Sequence, residues 1–203
     1  MTLDDWYERC AFAAVGVIAK VLEHLPDEGT LIDIGANVGV VTAAAIAERD
    51  ATVYAFEPVP TYADYCQRRN PDARIYPVAL GYECERKTLW LDETNLGWNT
   101  FETGKTGEGM TPVDVKVMPL DMYPEIAPDV VKVDVEGYEW AVLRGAHEML
   151  RRHRPVLVVE LGWGTDHPRR AEVVTEMEWL FDNGYERIAY DFDGTTDVTL
   201  VPT

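Results

Sequence analysis

Apolar residues follow two different spacings along the chain, and together these spacings predict an α/β fold. Over residues 2–25, apolar side chains recur every three or four positions, which predicts an amphipathic N-terminal helix within residues 1–26. Thr2 and Asp5 resemble a capping box at its start, and Pro26 follows its end. Short continuous apolar runs, typical of parallel strands covered on both faces, follow at 30–34, 51–56, 130–134 and 155–161.

Helical and strand patterns then alternate along the rest of the chain. Helices are predicted at 40–48, 61–70, 138–153 and from Pro168 to about 183. Further strands are predicted at 74–80, 87–91, 113–120, 187–192 and 198–201, the last two flanking an Asp193-Gly194 hairpin turn. This alternation predicts one domain, 1–203, with a doubly wound, mostly parallel, seven-stranded Rossmann-like sheet and an antiparallel C-terminal edge hairpin.

The first predicted strand runs into a glycine turn, Asp33-x-Gly35-x-x-x-Gly39, and then into a helix. The free N–H groups and positive dipole at the start of that helix favour an anionic ligand group. Asn37 stands where the second glycine of a dinucleotide fingerprint would admit a pyrophosphate. An asparagine suits an amino-acid carboxylate better, although a tight turn without a ligand is the plain alternative.

Glu57 ends the next predicted strand, directly before Pro58, close to the offset of about 20 residues at which nucleotide folds place a ribose-binding acid. A carboxylate accepts two hydrogen bonds from a ribose diol and would repel a 2′-phosphate. The alternative is a solvated glutamate at a strand end.

Ligands of doubly wound sheets bind beyond the carboxyl ends of the strands. Five such ends should meet along one rim, and three of them are acidic. A rim of carboxylates favours a cationic ligand over an anionic one. The five positions are Gly35, Glu57, Ala79, Asp134 and Glu160.

Composition narrows the choice of partners and compartment. The net charge of −18 should repel nucleic acid and anionic membranes. Cys10, Cys66 and Cys84 are odd in number and lack CxxC spacing, and the acidic start is no signal peptide, so we expect a cytoplasmic protein without a membrane span. Residues 95–112 carry four glycines around Trp98 and Phe101, which predicts a mobile substrate-side loop or, equally, a plain surface loop.

Several of these segments resemble the FkbM family of S-adenosylmethionine-dependent class I methyltransferases. The resemblance covers roughly residues 30–162, and KVDVEGYE, within 132–139, is its most specific part. The matching segments are LIDIGANVGVVT (31–42), VYAFEPVP (53–60), PVALG (77–81), NLGWNTF (95–101), PLD (119–121), VVKVDVEGYEWAVLRGA (130–146) and PVLVVELG (155–162).

The resemblance implies S-adenosyl-L-methionine as the cofactor and assigns residues to it. The methionine end would lie over the glycine turn, Glu57 would hold the ribose hydroxyls, and Asp134 would lie near the methyl donor and the amino group. Ala79 and Leu80 would border the adenine. The cofactor-binding residues are then Asp33, Gly35, Ala36, Asn37, Gly39, Glu57, Pro58, Ala79, Leu80 and Asp134.

The implied reaction is transfer of the methyl group to a hydroxyl. The acceptor would be a sugar, a glycan or another small molecule of secondary metabolism. Asp134 and Glu136 are the candidate bases, with Glu160 behind them. His167 is an alternative base in the following loop. Asp134 and Glu160, with Asp166 or His167, could instead hold Mg²⁺ beside the acceptor.

Three other functions stay open on the sequence. A dinucleotide-dependent oxidoreductase is disfavoured by the missing glycine. A catalytically inactive binding module is disfavoured by the intact Asp134 and Glu136. N-methylation or carboxyl methylation would use the same scaffold. The sequence gives neither the acceptor nor the oligomeric state.

Overall fold

A computed structural model describes residues 1–92, 95–101, 109–161, 169–190 and 197–203. Within these residues the chain forms ten strands and seven α-helices. The strands are β1 Thr30–Ile34, β2 Thr52–Phe56, β3 Arg74–Tyr76, β4 Ala79–Leu80, β5 Glu85–Asp92, β6 Met110–Met118, β7 Val130–Val133, β8 Val156–Glu160, β9 Tyr185–Tyr190 and β10 Asp197–Pro202. The helices are α1 Leu3–Ala13, α2 Val15–His24, α3 Val40–Arg49, α4 Pro60–Arg69, α5 Glu139–Arg144, α6 His147–His153 and α7 Arg170–Asp182.

The main sheet has seven strands in the order β3-β2-β1-β7-β8-β10-β9. The pairs among β3, β2, β1, β7 and β8 are parallel, whereas β10 pairs antiparallel with both β8 and β9. The predicted doubly wound sheet with an antiparallel C-terminal edge is therefore confirmed. The predicted Asp193-Gly194 turn lies outside the described residues.

The predicted strand at 74–80 is wrong as a single element. The chain leaves the main sheet after Tyr76, and Ala79–Leu80 instead pairs in parallel with β6 in a second sheet of order β4-β6-β5. Pro77 stands at the break, and a proline has no N–H with which to continue a strand ladder. The predicted order of elements survives, but Ala79 and Leu80 reach the rim from a different sheet.

Two predicted helices are each divided. The helix over 2–25 is interrupted at Ala14, beside a run of glycine and β-branched residues of weaker helix propensity, although the Thr2–Asp5 capping box forms as predicted. The helix over 138–153 is interrupted at Gly145. A Cβ there would lie 1.9 Å from the carbonyl oxygen of Gly81, so the close approach of two backbones requires glycine.

Hydrophobic clusters cover both faces of the main sheet. One contains Ile32, Val131 and Leu157 with residues of α5, α6 and α7, and the other contains Leu31, Val130 and residues of α2 and α3. Because the central strands are buried on both faces, their polar groups reach a ligand only where the strands end. In the described part of the chain, no helix combines the length and the apolar character needed to cross a bilayer.

Candidate active site

A cavity of about 470 Å³ lies where β1, β2, β7 and β8 end. The structure brings ten of the twelve predicted site residues to its wall; Asp33 and Gly39 lie behind the wall. The ten are Gly35, Ala36, Asn37, Glu57, Pro58, Ala79, Leu80, Asp134, Glu136 and Glu160.

The glycine turn has its shape because protein atoms crowd it. Gly35 has φ +74°, and a Cβ there would lie 1.8 Å from the carbonyl oxygen of Asp134. Gly39 has φ +82°, and its Cβ would lie 2.4 Å from Cys66 Sγ. Both positions therefore require glycine so that β1 and α3 can pack against their neighbours, apart from any requirement of a ligand.

Asp33 is fully buried in β1 and is already bonded within the protein. Its Oδ2 accepts a hydrogen bond of 2.8 Å from Thr42 Oγ1, and its Oδ1 lies 3.3 Å from Lys132 Nζ. Asp33 is not among the residues that line the cavity, so its predicted part in cofactor binding stays a prediction. Asp33 instead joins β1 to α3 and to β7 beneath the cavity.

Lys132 is the main residue that the sequence reasoning missed. Its Nζ lies 2.9 Å from the carbonyl oxygen of Gly35, 3.3 Å from that of Ile34 and 3.5 Å from Asp134 Oδ2. Burial favours the neutral amine, but Asp33 and Asp134 hold the pKa of Lys132 above its ordinary value. The sequence did carry a signal for Lys132. A lysine within an apolar strand is expected to be buried and so needs an acidic partner, and the adjacent strand carries Asp33.

Glu57 is 5% exposed, and backbone groups hold both of its carboxylate oxygens. Oε2 accepts a hydrogen bond of 2.9 Å from the Asn37 N–H, and Oε1 accepts one of 2.8 Å from the Val59 N–H. Burial raises the pKa of Glu57 to about 7, although these two N–H groups favour the charged form. The carboxyl group is therefore fixed in orientation at the cavity wall, with lone pairs left for a ligand hydroxyl.

Asp134, Glu136 and Glu160 form a carboxylate cluster on the cavity wall, and one oxygen from each lies within 4.8 Å of the others. Burial would raise the pKa of Asp134, but the Lys132 ammonium and a hydrogen bond with Glu160 outweigh burial and hold that pKa below its ordinary value. Asp134 is therefore ionised at neutral pH. Asp166 and His167, the alternative residues, lie outside the described residues.

Glu139 shapes the loop that presents Asp134 and Glu136. Its Oε1 accepts hydrogen bonds from the N–H groups of Val135 (3.1 Å) and Gly137 (3.0 Å), and burial raises its pKa to about 7. Glu136 has φ 53°, a left-handed conformation that this loop imposes. Glu139 is thus the acidic residue in the first turn of α5. Glu136 lies before the helix and lines the cavity.

The segment 95–101 also reaches the cavity, through Gly97, Asn99 and Phe101. Its Leu96 carbonyl accepts a hydrogen bond from Asn37 Nδ2, at 3.2 Å. The start of the 95–112 loop therefore lies at the cavity wall, and its substrate-side role stays a prediction. Residues 102–108 lie outside the described residues.

The strand order of the main sheet and the cavity beyond the strand ends have the Rossmann-like architecture of class I methyltransferases. The model of the methyltransferase FkbM domain matches residues 33–187. Hexuronic acid methyltransferase AglP from Haloferax volcanii is 30% identical over 176 residues, which is 85% of this chain and 72% of that protein. The chain belongs to the FkbM methyltransferase family.

Solved structures support the same fold. The methyltransferase FkbM from Methylobacillus flagellatus superposes with a TM-score of 0.60 at 17% identity over 87% of this chain, which spans 44% of that protein's length. A TehB-like SAM-dependent methyltransferase from Corynebacterium glutamicum gives a TM-score of 0.58 at 13% identity over 98% of this chain and 95% of the other. At these identities the likeness concerns the fold alone.

Proposed function

We propose that this protein uses S-adenosylmethionine to methylate a hydroxyl group of a sugar or a related small molecule. One observation carries the proposal: a single cavity joins the fixed Glu57 carboxyl at one part of its wall to the Asp134, Glu136 and Glu160 cluster at another. The first group suits a ribose diol, and the second suits a cationic donor and a hydroxyl that must lose its proton.

The residues at the glycine turn fit the cofactor. Glu57 would hold the ribose hydroxyls, and the first N–H groups of α3 would meet the carboxylate of the methionine end. Ala79 and Leu80 offer an apolar border for the adenine, while Asp134 would attract the amino group. S-adenosylmethionine supplies an electrophilic methyl group on a sulfonium centre.

The protein's contribution to the chemistry is alignment and proton removal. An oxygen held in line with the methyl group reacts faster because the orientation is already fixed. The Asp134 carboxylate, ionised beside Lys132, would accept the hydroxyl proton, with Glu136 and Glu160 adjacent to it. A neutral hydroxyl needs such a base, whereas an acceptor carboxylate needs none and would meet like charges here.

A sugar acceptor is supported by AglP, whose name assigns it a hexuronic acid. The charges on the described cavity wall favour a different sugar class. They include Glu57, Asp134, Glu136 and Glu160, and the one cation among the described lining residues, Lys132, already contacts Asp33 and Asp134. We therefore propose that the hydroxyl belongs to an uncharged sugar or an amino sugar.

Magnesium is the second mechanistic candidate, and the spacing of the three carboxylates is what keeps it open. Mg²⁺ bound there would position the acceptor oxygen and lower its pKa. Transfer activity that survives exhaustive treatment with a chelator would eliminate this candidate.

The decisive experiment has two stages. Isothermal titration should show binding of S-adenosylhomocysteine and none of NAD; the reverse result would replace the methyltransferase proposal with an oxidoreductase, and binding of neither would favour an inactive module. A screen with a labelled methyl donor would then compare neutral sugars, amino sugars and hexuronic acids. Base-labile label on the hexuronic acids alone would indicate carboxyl methylation and would overturn the hydroxyl proposal.

A further inference from the structure

Part of the cavity wall comes from residues outside the matched family region. The family model matches 33–187, whereas Trp6 and Cys10 of α1 and Gly16 and Val17 of α2 line the cavity. The sequence predicted this segment as an amphipathic helix. Its position shows that the N-terminal helices complete the site.

Asn37 is the point at which α1 meets the rest of the site. The Trp6 indole N–H donates a hydrogen bond of 3.0 Å to Asn37 Oδ1, and Asn37 Nδ2 donates one of 3.2 Å to the Leu96 carbonyl. The Asn37 N–H in turn donates to Glu57 Oε2. One residue thus connects α1, the glycine turn, the end of β2 and the segment 95–101, and both polar atoms of its side chain are engaged within the protein.

We propose that Trp6 is a positioning residue of the cofactor site and acts through Asn37. Asn37 has φ 51°, a left-handed conformation that is uncommon for non-glycine residues, although asparagine adopts it more readily than most, and the hydrogen bonds of its side chain restrain it there. Trp6 supplies one of those restraints from outside the turn. Its loss would leave the Asn37 N–H less well fixed against Glu57 and the segment 95–101 less well fixed against the cavity. This inference rests on the proposed function, because the ligand it names is the cofactor.

The rest of α1 is anchored independently of this hydrogen bond. Tyr65 Oη donates a hydrogen bond of 2.6 Å to Asp4 Oδ1, and the Arg69 guanidinium lies 4.2 Å from the centre of the Tyr7 ring. Trp6 itself is 8% exposed and packs with Val38, Val40 and Tyr65. A phenylalanine at position 6 would keep an aromatic ring in this cluster while removing the indole N–H and part of the ring area, which lies beside Gly97, so the fold should survive.

The test measures S-adenosylhomocysteine binding to the full chain by isothermal titration. Trp6→Phe should raise the Kd about 3- to 10-fold, the value of one hydrogen bond. Trp179→Phe is the matched control, because Trp179 stacks on His147 and is not among the lining residues. A Trp6→Phe variant that binds like the wild type overturns the inference. If the wild type does not bind, the proposed function fails and the inference falls with it.

A double-mutant cycle separates positioning from general weakening. Asn37→Gly tolerates the positive φ but removes both side-chain hydrogen bonds, so it should weaken binding at least as much as Trp6→Phe. The double variant should bind no more weakly than Asn37→Gly alone, because the Trp6 hydrogen bond is already absent there. Additive losses would show that Trp6 does not act through Asn37. In addition, the Trp6 indole N–H resonance should shift on titration, and that of Trp179 should not.

Discussion

Glu57 and Asp134 follow β2 and β7, the two strands that flank β1, and both line the same cavity, yet they have opposite electrostatic surroundings. Glu57 is held by two backbone N–H groups, and burial outweighs them and the more distant Lys132 charge and raises its pKa to about 7. Asp134 lies 3.5 Å from the Lys132 ammonium, and its pKa falls below the ordinary value.

The position of a carboxyl group at a strand end therefore does not by itself set its pKa or its role. Two neutral hydrogen-bond donors orient Glu57 without offsetting the cost of burying its charge, whereas one buried cation keeps Asp134 ionised. Glu57 is thereby suited to orienting hydroxyl groups, and Asp134, which stays ionised, is suited to attracting a cation.

The sharpest change is Asp134→Asn, which removes the charge and keeps the shape. Methyl transfer to an acceptor found in the screen should slow by about 10²- to 10⁴-fold, since a positioned base typically contributes that much. Asp114→Asn, a matched change at an exposed position of β6, should leave the rate unchanged. Transfer by Asp134→Asn at the wild-type rate would show that Asp134 is not the base.

Lys132→Met tests the buried cation that contacts both Asp33 and Asp134. We expect a loss of about 3–5 kcal/mol in the free energy of unfolding, measured in urea, because Asp33 would be left buried and unpaired. Lys116→Met, at an exposed position, should change stability by less than about 0.5 kcal/mol. The double variant Asp33→Asn with Lys132→Met should recover part of the loss; no recovery would mean that the pair is not what Lys132 stabilises.

The pH dependence of the free energy of unfolding tests the raised pKa of Glu57. The pKa of Glu57 is about 7 in the folded chain and near 4.5 when unfolded, so the folded state holds the proton more tightly. Stability from this group is fully present below about pH 4.5 and is lost as the pH rises to about 7, by about 3 kcal/mol. The free energy of unfolding, measured in urea at pH 5 and at pH 8, should therefore fall less between these two pH values for Glu57→Gln than for the wild type. Equal losses would contradict the assigned environment.

Glu57→Ala tests the ligand role of the same carboxyl group. S-adenosylhomocysteine should bind about 10- to 100-fold more weakly, because each charge-assisted hydrogen bond contributes about 1.5–3 kcal/mol. Glu125→Ala, at an exposed position, should bind with the wild-type Kd by calorimetry. An unchanged Kd for Glu57→Ala would remove Glu57 from the cofactor site.

Much of the fold and the position of the site followed from spacing. The glycine turn after β1, the acid after β2 and Asp134 after β7 were all predicted at strand ends, and the structure brings them to one cavity. The errors came where local pattern competes with tertiary packing. Pro77 ends a run that reads as one strand, and Gly145 divides a continuous helical pattern because the Gly81 backbone lies against it.

Periodicity and neighbours along the chain were enough to predict the succession of strands and helices and the acids and glycines at their ends. The pairing of Lys132 with Asp33 and Asp134, the hydrogen bond from Trp6 to Asn37, and the opposite pKa shifts of Glu57 and Asp134 appear only in the folded structure. The physical reason is that charge state and hydrogen-bond partners depend on distances between residues far apart in the chain, which strand register and helix packing set.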